Sequence, residues 1–537
     1  MKTNIVIKQL ILLGAAVTLL SGLAGADSFP RLKPLPPKKD PVHAAAVATP
    51  ALSNASASPW QLLKNQPPVL DPVNCGPNNP LLLTDGTVLI QDAGCQDWWK
   101  LTPDQFGSYV KGTWTQVAST PAGYSPLYHS SAVLADGRVI IEGGEYNFLN
   151  PVWTTQGAIY DPRANIWKSV DPPAGWSTIG DAQGIVLFDG TFMQSNCCTK
   201  QAALLDVKTL TWTATGTGKF DPNDEEGWTL LPNGKVLAVD AYVPISPFPY
   251  EPTGKNSELY DPESGYWRSA GSTVVQLWDS AANCGGLKVA SFELGPGVLR
   301  RDGTVFYTGA NSCGAAPTAI YNSYFGIWSP GPHFPDSLDI ADGPAALEPN
   351  GKVLMMASPL VFKTPATFFE WDGRELTEIP PAPNASNDSS FYGNFLVLPT
   401  GQIMFTDFSF VSVYNPANNV EEGEEAWAPR VFFAPDQVRP GRSYVVGGFL
   451  FNGMSQGSAY GDDIQGATNY PLVRITNDAT GHVFYSRTHD HSSMGVGPFV
   501  GPVSTEFDVP ASQEKGPSKL VVVANGIPSA PVHIVVR

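Results

Sequence analysis

The apolar positions of this chain fall into short paired runs. In "SPLYHSSAVLADGRVIIEGG", Ser125 to Gly144, an apolar run, an Ala-Asp-Gly turn and a second apolar run spell a β-hairpin, because Gly takes the positive φ of the turn at no steric cost. The pattern recurs in "NPLLLTDGTVLIQDAG", "AQGIVLFDGTFMQSN", "GWTLLPNGKVLAVDA", "PGVLRRDGTVFYTGA", "PAALEPNGKVLMMAS" and "NFLVLPTGQIMFTDF". Its turn glycines are Gly86, Gly137, Gly190, Gly234, Gly303, Gly351 and Gly401, spaced by 51, 53, 44, 69, 48 and 50 residues. A second hairpin follows most of these: "AIYDPRANIW", "LLDVKTLTW", "ELYDPESGYW" and "AIYNSYFGIW". In each, a Tyr or Leu (Tyr160, Leu205, Tyr260, Tyr321) stands seven residues before a Trp (Trp167, Trp212, Trp267, Trp328) that is expected to pack between sheets. Four strands per unit at a period of about 45–50 residues predict the blades of a seven-bladed β-propeller. The last unit shows three strands, ending in "FVSVYNP". "SPWQLLKNQPP", with Trp60, resembles the other outer strands, so a strand within 58–66 is expected to complete that blade and close the ring without an open edge.

After Tyr414 the period stops. An acidic linker, "NNVEEGEEAW", leads into residues 428–537, whose alternating strands have the size and texture of an immunoglobulin-like β-sandwich. The fold class expected is therefore all-β: a propeller over 58–420 followed by a sandwich. Gly 52 and Pro 50, spread without a collagen period, support a turn-rich all-β chain. Residues 1–26, with Lys2 and Lys8, the run "LILLGAAVTLL" and "AGA" before Asp27, read as a secretory signal, and the Pro/Ala-rich stretch 27–57 reads as a tether. The mature protein is expected to be secreted or periplasmic and monomeric, with no membrane span. The formal charge is -17, and losing Lys2 and Lys8 with the signal takes it to -19; no basic patch offers a surface for nucleic acid.

The first strand of each hairpin starts, and the second ends, at one face of the ring. Counting nine residues back from each turn glycine gives Pro77, Tyr128, Asp181, Glu225, Leu294, Asp342 and Tyr392 around the channel mouth, with Asp224 and Glu293 one step away. The mouth is expected to be acidic, with two tyrosines; strand alternation turns His129 away from Tyr128. All six cysteines map to this face. Cys75 with Cys95, and Cys284 with Cys313, bracket inner hairpins and are expected to form disulfides; Cys197 and Cys198 form a vicinal bond, or one pairs elsewhere.

With these repeats and the closing "VVANGIPSAP", the mature chain resembles the galactose oxidase-like family of secreted copper radical oxidases, built from kelch-type blades and a C-terminal early-set immunoglobulin-like domain. The resemblance implies copper held by tyrosines and histidines. Tyr128 falls at the position of the radical-bearing tyrosine, Tyr146 in "GGEY" at the aromatic stacked on it, and His489 in "SRTHDHSSMG" at the histidine supplied by the C-terminal domain, with His491 as the alternate. The family's last blade supplies an adjacent Tyr-His pair; here Phe391 and Tyr392 stand there. The linking cysteine's position falls on Pro77, two residues from Cys75.

Three functions follow from these residues. A copper oxidase would use Tyr128, Tyr392 and His489 as metal ligands, with Tyr128 and Tyr392 as its catalytic residues, and would turn a primary alcohol or aldehyde and oxygen into hydrogen peroxide. A carbohydrate or cell-surface binding protein would use Tyr146, Trp153 or Trp278 with Asp181, Glu225 and Asp342; this reading is favoured, with the copper site degenerate. A carboxylate-based hydrolase or lyase, or a calcium site, would use Asp181, Glu225 and Asp342.

Overall fold

A computed structural model describes residues 33–36, 58–241, 254–279, 291–416, 424–464, 466–498 and 500–537. The chain divides into two compact units, Met1–Lys33 and Pro34–Arg537. Only Lys33 of the first is described, so the signal expected over 1–26 lies outside the described residues. Every strand among the described residues lies in the second unit.

Each repeat hairpin forms as its sequence dictates. All the turn glycines named above are left-handed, from φ 75° at Gly86 to 93° at Gly351. The Asp or Asn before the glycine accepts the N–H two residues on: Asp85 from Thr87, Asp136 from Arg138, Asp189 from Thr191, Asn233 from Lys235, Asp302 from Thr304 and Asn350 from Lys352. This side-chain bond pins the turn and with it the register of both strands.

The resulting sheets are antiparallel and four strands wide. The first runs Gly76–Leu82, Val88–Ala93, Trp98–Thr102, Thr113–Gln116, and the second Ser130–Val133, Val139–Glu142, Gly157–Asp161, Ile166–Val170. The third, fourth and fifth begin at Gly184–Val186, Trp228–Leu230 and Gly297–Leu299 and repeat the order. The sixth begins at Ala345–Leu347 and gains extra strands, and the seventh begins at Asn394–Val397. The first strands contact one another in cyclic order, and the strand Asn394–Val397 returns to Gly76–Leu82. Sheets arranged in a closed circle in this way form a β-propeller. Second strands such as Val88–Ala93 and Val139–Glu142 are buried on both faces, whereas outer strands such as Thr113–Gln116 are mostly exposed.

The seventh sheet takes its outer strand from the far end of the chain. Trp60 pairs with Tyr414, Gln61 with Val413 and Leu62 with Ser412. Trp60 is 3% exposed, and its ring lies 4.9 Å from those of Phe368 and Tyr414. Outer-strand indoles also tie the first, second, third and seventh sheets to the one before: Trp114 Nε1 donates to Asn65 O, Trp167 to Ala118 O, Trp212 to Asp171 O and Trp60 to Pro380 O at 2.7 Å.

Beyond Glu424, strands from Arg430–Phe433 to Val532–Val536 curl around a separate core of Val446, Val473, Ile475, Phe507, Leu520, Val522 and Ile534. The Cys75–Cys95 disulfide is present, and Cys197 and Cys198 are bonded to each other. Cys284, and so its expected pairing with Cys313, lies outside the described residues. Among the described residues no helix is long and apolar enough to cross a membrane.

If the Trp60 strand closes the ring, Trp60→Ala removes a buried indole and its hydrogen bond. It is expected to cost about 3–5 kcal/mol in urea unfolding of the whole chain; a change under about 0.5 kcal/mol would show that the closure contributes nothing.

Candidate functional site

The mouth of the ring is built by a break in strand geometry. Tyr128, Glu225 and Asp342, each nine residues before a turn glycine, sit in the left-handed region at φ 51°, 54° and 52°. A non-glycine residue held there marks a backbone fixed by its surroundings. The kink separates the bridge Pro126–Leu127 from the inner strand Ser130–Val133 and turns Tyr128 out of the alternation that the strand then follows. Asp342 N donates to Leu294 O, joining two residues counted to the ring, while Tyr392 O accepts from Asn78 Nδ2 and Pro77 O from Phe408 N.

His129 points elsewhere. It is 1% exposed, and its Nε2 lies 3.1 Å from Asn79 Nδ2. Burial drives its pKa down to about 3, so the ring is neutral at physiological pH. It belongs to the packing of the inner strands.

Around Tyr128 an aromatic cluster forms: Leu127, Tyr146, Phe391, Phe408, Tyr460 and Ile464, with Tyr392 packed against it. The Tyr146 ring stands edge-on to Tyr128 at 6.1 Å, and Phe391 lies at 6.3 Å. Tyr392 closes the short turn Ser390–Tyr392, its ring 4.3 Å from Phe391; burial, with Asp388 nearby, raises its phenol pKa to about 12. Tyr392 is therefore a neutral phenol at physiological pH.

Tyr460 and Ile464 come from the C-terminal module. Its segment from Asn452 runs into the ring. Gln456 Oε1 accepts from Leu230 N, Gly457 O accepts from Leu347 N, and Ser458–Ala459 pairs with Ala346 and Ala345 on the inner edge of the sixth sheet. Gly461 passes so close to Asp342 that a Cβ on it would overlap Asp342 Oδ1, and Tyr460 Oη donates to Phe391 O at 2.8 Å. Small residues are required for this entry, and "GSAYG" supplies them. At the tip, Asp462 and Asp463 meet Asp181, one carboxylate oxygen of each lying within 4.8 Å of the others. All three are buried. These oxygens form a donor set for a hard cation such as calcium, or for an ammonium or guanidinium group.

The resemblance puts His489 in this position, and the structure corrects that. His489 ends the strand Val483–His489 of the C-terminal module, its ring 2.6 Å from Asp490 and 3.4 Å from Asp508. The flanking backbone rests on the hairpin turns: Thr488 N donates to Thr84 O, His491 N to Ala135 O and Met494 N to Phe188 O. Those turns lie at the opposite end of the inner strands from Tyr128. The structure therefore does not bring Tyr128, Tyr392 and His489 together, and the alternate, His491, is buried against Thr505, 2.8 Å away. With no imidazole from the described residues of the C-terminal module at the mouth, these side chains do not fit a tetragonal nitrogen and oxygen site for copper. Trp278 is 1% exposed, with Nε1 donating to Gly254 O and its ring stacked on Phe292 at 5.9 Å. Trp153 stays half-buried beside Gly180, which it shares with Cys197 and which precedes Asp181.

One further cluster positions Glu225. Lys219, wholly buried, has Nζ 2.5 Å from Asp221, 2.7 Å from Glu258, 2.9 Å from Glu226 and 3.7 Å from Asp240, and lies over the Trp267 ring. Burial alone would lower the lysine pKa; the carboxylates outweigh it and hold the ammonium charged. Burial pushes the carboxyl pKa values of Asp221, Glu226 and Asp240 up, and the Lys219 ammonium pulls against it. It fixes the crossover 219–226 on which Asp224 and Glu225 ride. Sequence reading misses it, although Lys219 is the one basic residue in "GKFDPNDEEGW".

No protein-family model and no curated protein matches the chain. Among solved structures it is similar to a streptogramin B lyase (9% identity, TM-score 0.44, covering 66% of this chain and 97% of that one). It is also similar to YCF48 bound to a D1 peptide (11%, 0.44, 67% and 98%) and to the extracellular domain of the putative hybrid two component system BT3049 from B. thetaiotaomicron (9%, 0.41, 90% and 58%).

Two expectations follow. Lys219→Met leaves buried carboxylates without their cation and is expected to destabilise the protein by about 3–5 kcal/mol in denaturant unfolding; a neutral result would contradict the cage. His129 has a folded pKa below its unfolded value of about 6.5, so between the two the unfolded chain binds more protons. Its contribution is intact above about pH 6.5 and is lost as pH falls toward 3, at about 1.4 kcal/mol per unit. Measured against pH, the stability difference between wild type and His129→Gln should therefore shrink on acidification.

Proposed function

We propose that this chain is an exported, galactose oxidase-like seven-bladed propeller with an immunoglobulin-like C-terminal module, and that it binds rather than transforms a ligand at the channel mouth. The supporting observation is the meeting of the tyrosine cluster around Tyr128 and Tyr146 with the carboxylates of Asp181, Asp342, Asp462 and Asp463. Aromatic faces take the apolar side of a ligand, while carboxylates take its hydroxyls or positive charge. A carbohydrate has the first pair of properties and an organic cation the second. Glu225, held beside this set by the Lys219 cage, adds to its negative field. His489 stands on the far side, so Tyr128 and Tyr392 act here as phenols that bind and not as copper ligands. Calcium, if bound, would be held by Asp181, Asp462 and Asp463 and would supply an electrophilic seat for paired hydroxyls.

The test is a binding screen of the purified full chain against oligosaccharides and cationic ligands, with hydrogen peroxide production from primary alcohols and aldehydes assayed alongside with copper supplied. Binding is expected to weaken at least tenfold in Tyr146→Ala and Asp463→Asn and to be unchanged in His489→Ala. Turnover that vanishes in Tyr128→Phe would overturn this reading, as would binding indifferent to both mouth substitutions.

A further inference from the structure

One contact at the mouth comes from outside the ring. Tyr128 Oη donates to the carbonyl oxygen of Pro34 at 2.9 Å, across 94 residues of sequence. Pro34 belongs to the same compact unit as the ring. Pro34 and Leu35 are exposed, Pro36 is half-buried, and the stretch has no regular secondary structure. Its Pro34 carbonyl is the part that meets the Tyr128 hydroxyl.

The chemistry of that contact is specific. Proline lacks an N–H, so a proline-rich segment offers a partner its carbonyl oxygens and its ring faces. Proteins take such segments in grooves lined with aromatic rings, at low entropic cost because the peptide is already stiff. Tyr128 supplies the donor, and Tyr146, Phe391, Tyr392 and Tyr460 supply rings around it. Charge adds a second, independent match. Residues 34–39 read "PLPPKK", with Lys38 and Lys39 and no acid. Tyr460 and Ile464, which pack in the Tyr128 cluster, flank Asp462 and Asp463, and these meet Asp181. A basic segment and an acidic mouth attract one another.

We infer that the mouth is a recognition groove for a basic, proline-rich extended peptide, and that the stretch around Pro34 of the chain's own tether occupies it as an intramolecular ligand. This deepens the binding reading above and rests on it. A tethered segment acts at an effective concentration of about millimolar. An incoming peptide must exceed that competition, so the tether sets the threshold for binding, and cutting or displacing it opens the groove.

The experiment uses the full chain in three forms: wild type, a version with a protease site placed within 45–50 and cut after folding, and an uncut version carrying Pro34→Ala, Pro36→Ala and Pro37→Ala. The probe is the synthetic peptide RLKPLPPKK, with RLKALAAKK as control, titrated by calorimetry at 50 and 200 mM salt. The cut and alanine-bearing chains are expected to bind the probe at least tenfold more tightly than wild type. The control peptide should bind at least tenfold more weakly, and higher salt should weaken binding several-fold. Tyr128→Phe in the cut chain, which keeps the ring and loses the donor, should weaken it about two- to tenfold. No binding of the probe by the cut chain at millimolar concentration overturns the inference, as does binding insensitive to Tyr128→Phe. A cut chain that takes an oligosaccharide but not the peptide refutes the peptide and leaves the mouth a binding site; one that takes neither refutes both. Near-UV circular dichroism confirms that each form is folded.

Discussion

The backbone pairing of Trp60–Leu62 with Val411–Tyr414 is the constraint on which this molecule depends. A circle of sheets has no stable ends: an unclosed ring would present a bare strand edge on one side and an unsupported sheet face on the other. Borrowing one strand from the start of the chain for the last sheet removes both faults. The indole of that borrowed strand reaches Pro380 as the other outer-strand indoles reach their preceding sheets. The closure thus fixes the angular position of every sheet, and with it the place where the left-handed residues Tyr128, Glu225 and Asp342 converge.

Convergence gathers negative charge, and the structure handles it in two ways. In the crossover into the fourth sheet, Lys219 gives buried carboxylates a single cation, which stiffens the approach to Glu225. At the mouth itself, Asp181, Asp462 and Asp463 are brought together by the entry of a loop from another module. The first arrangement sets its charge against a lysine; the second concentrates it beside a wall of phenols.

Much of this is legible in the chain. The Asp-Gly and Asn-Gly turns announce the hairpins, because a turn's requirement is local and its residues state it directly. Trp60 marks the closing strand, because "SPWQLLKNQPP" resembles the other outer strands. Counting from the turns puts Tyr128, Asp181, Glu225 and Asp342 at the mouth, since a repeat carries its geometry with it. Resemblance misplaces His489, because the position of a loop depends on which segment of the module has small enough residues to enter the ring. That segment, "MSQGSAYGDD", stands out by its lack of alternation and its small residues, yet no local rule says where a loop will insert. The partner of the Tyr128 hydroxyl is hidden for the same reason: a hydrogen bond to Pro34 leaves no trace in the pattern of either segment.

The pairing of Ser458–Ala459 with Ala345–Ala346 carries a consequence for how the molecule is made. The residues that floor the mouth are synthesised after the entire ring and belong to the next module. A nonsense mutation or a proteolytic nick behind Tyr414 would spare every turn and every indole tie, yet produce a hollow hub, without Tyr460, Asp462 or Asp463. A mouth furnished with both its phenols and its acids is therefore a property of finished molecules alone, whichever sheets a truncated fragment keeps.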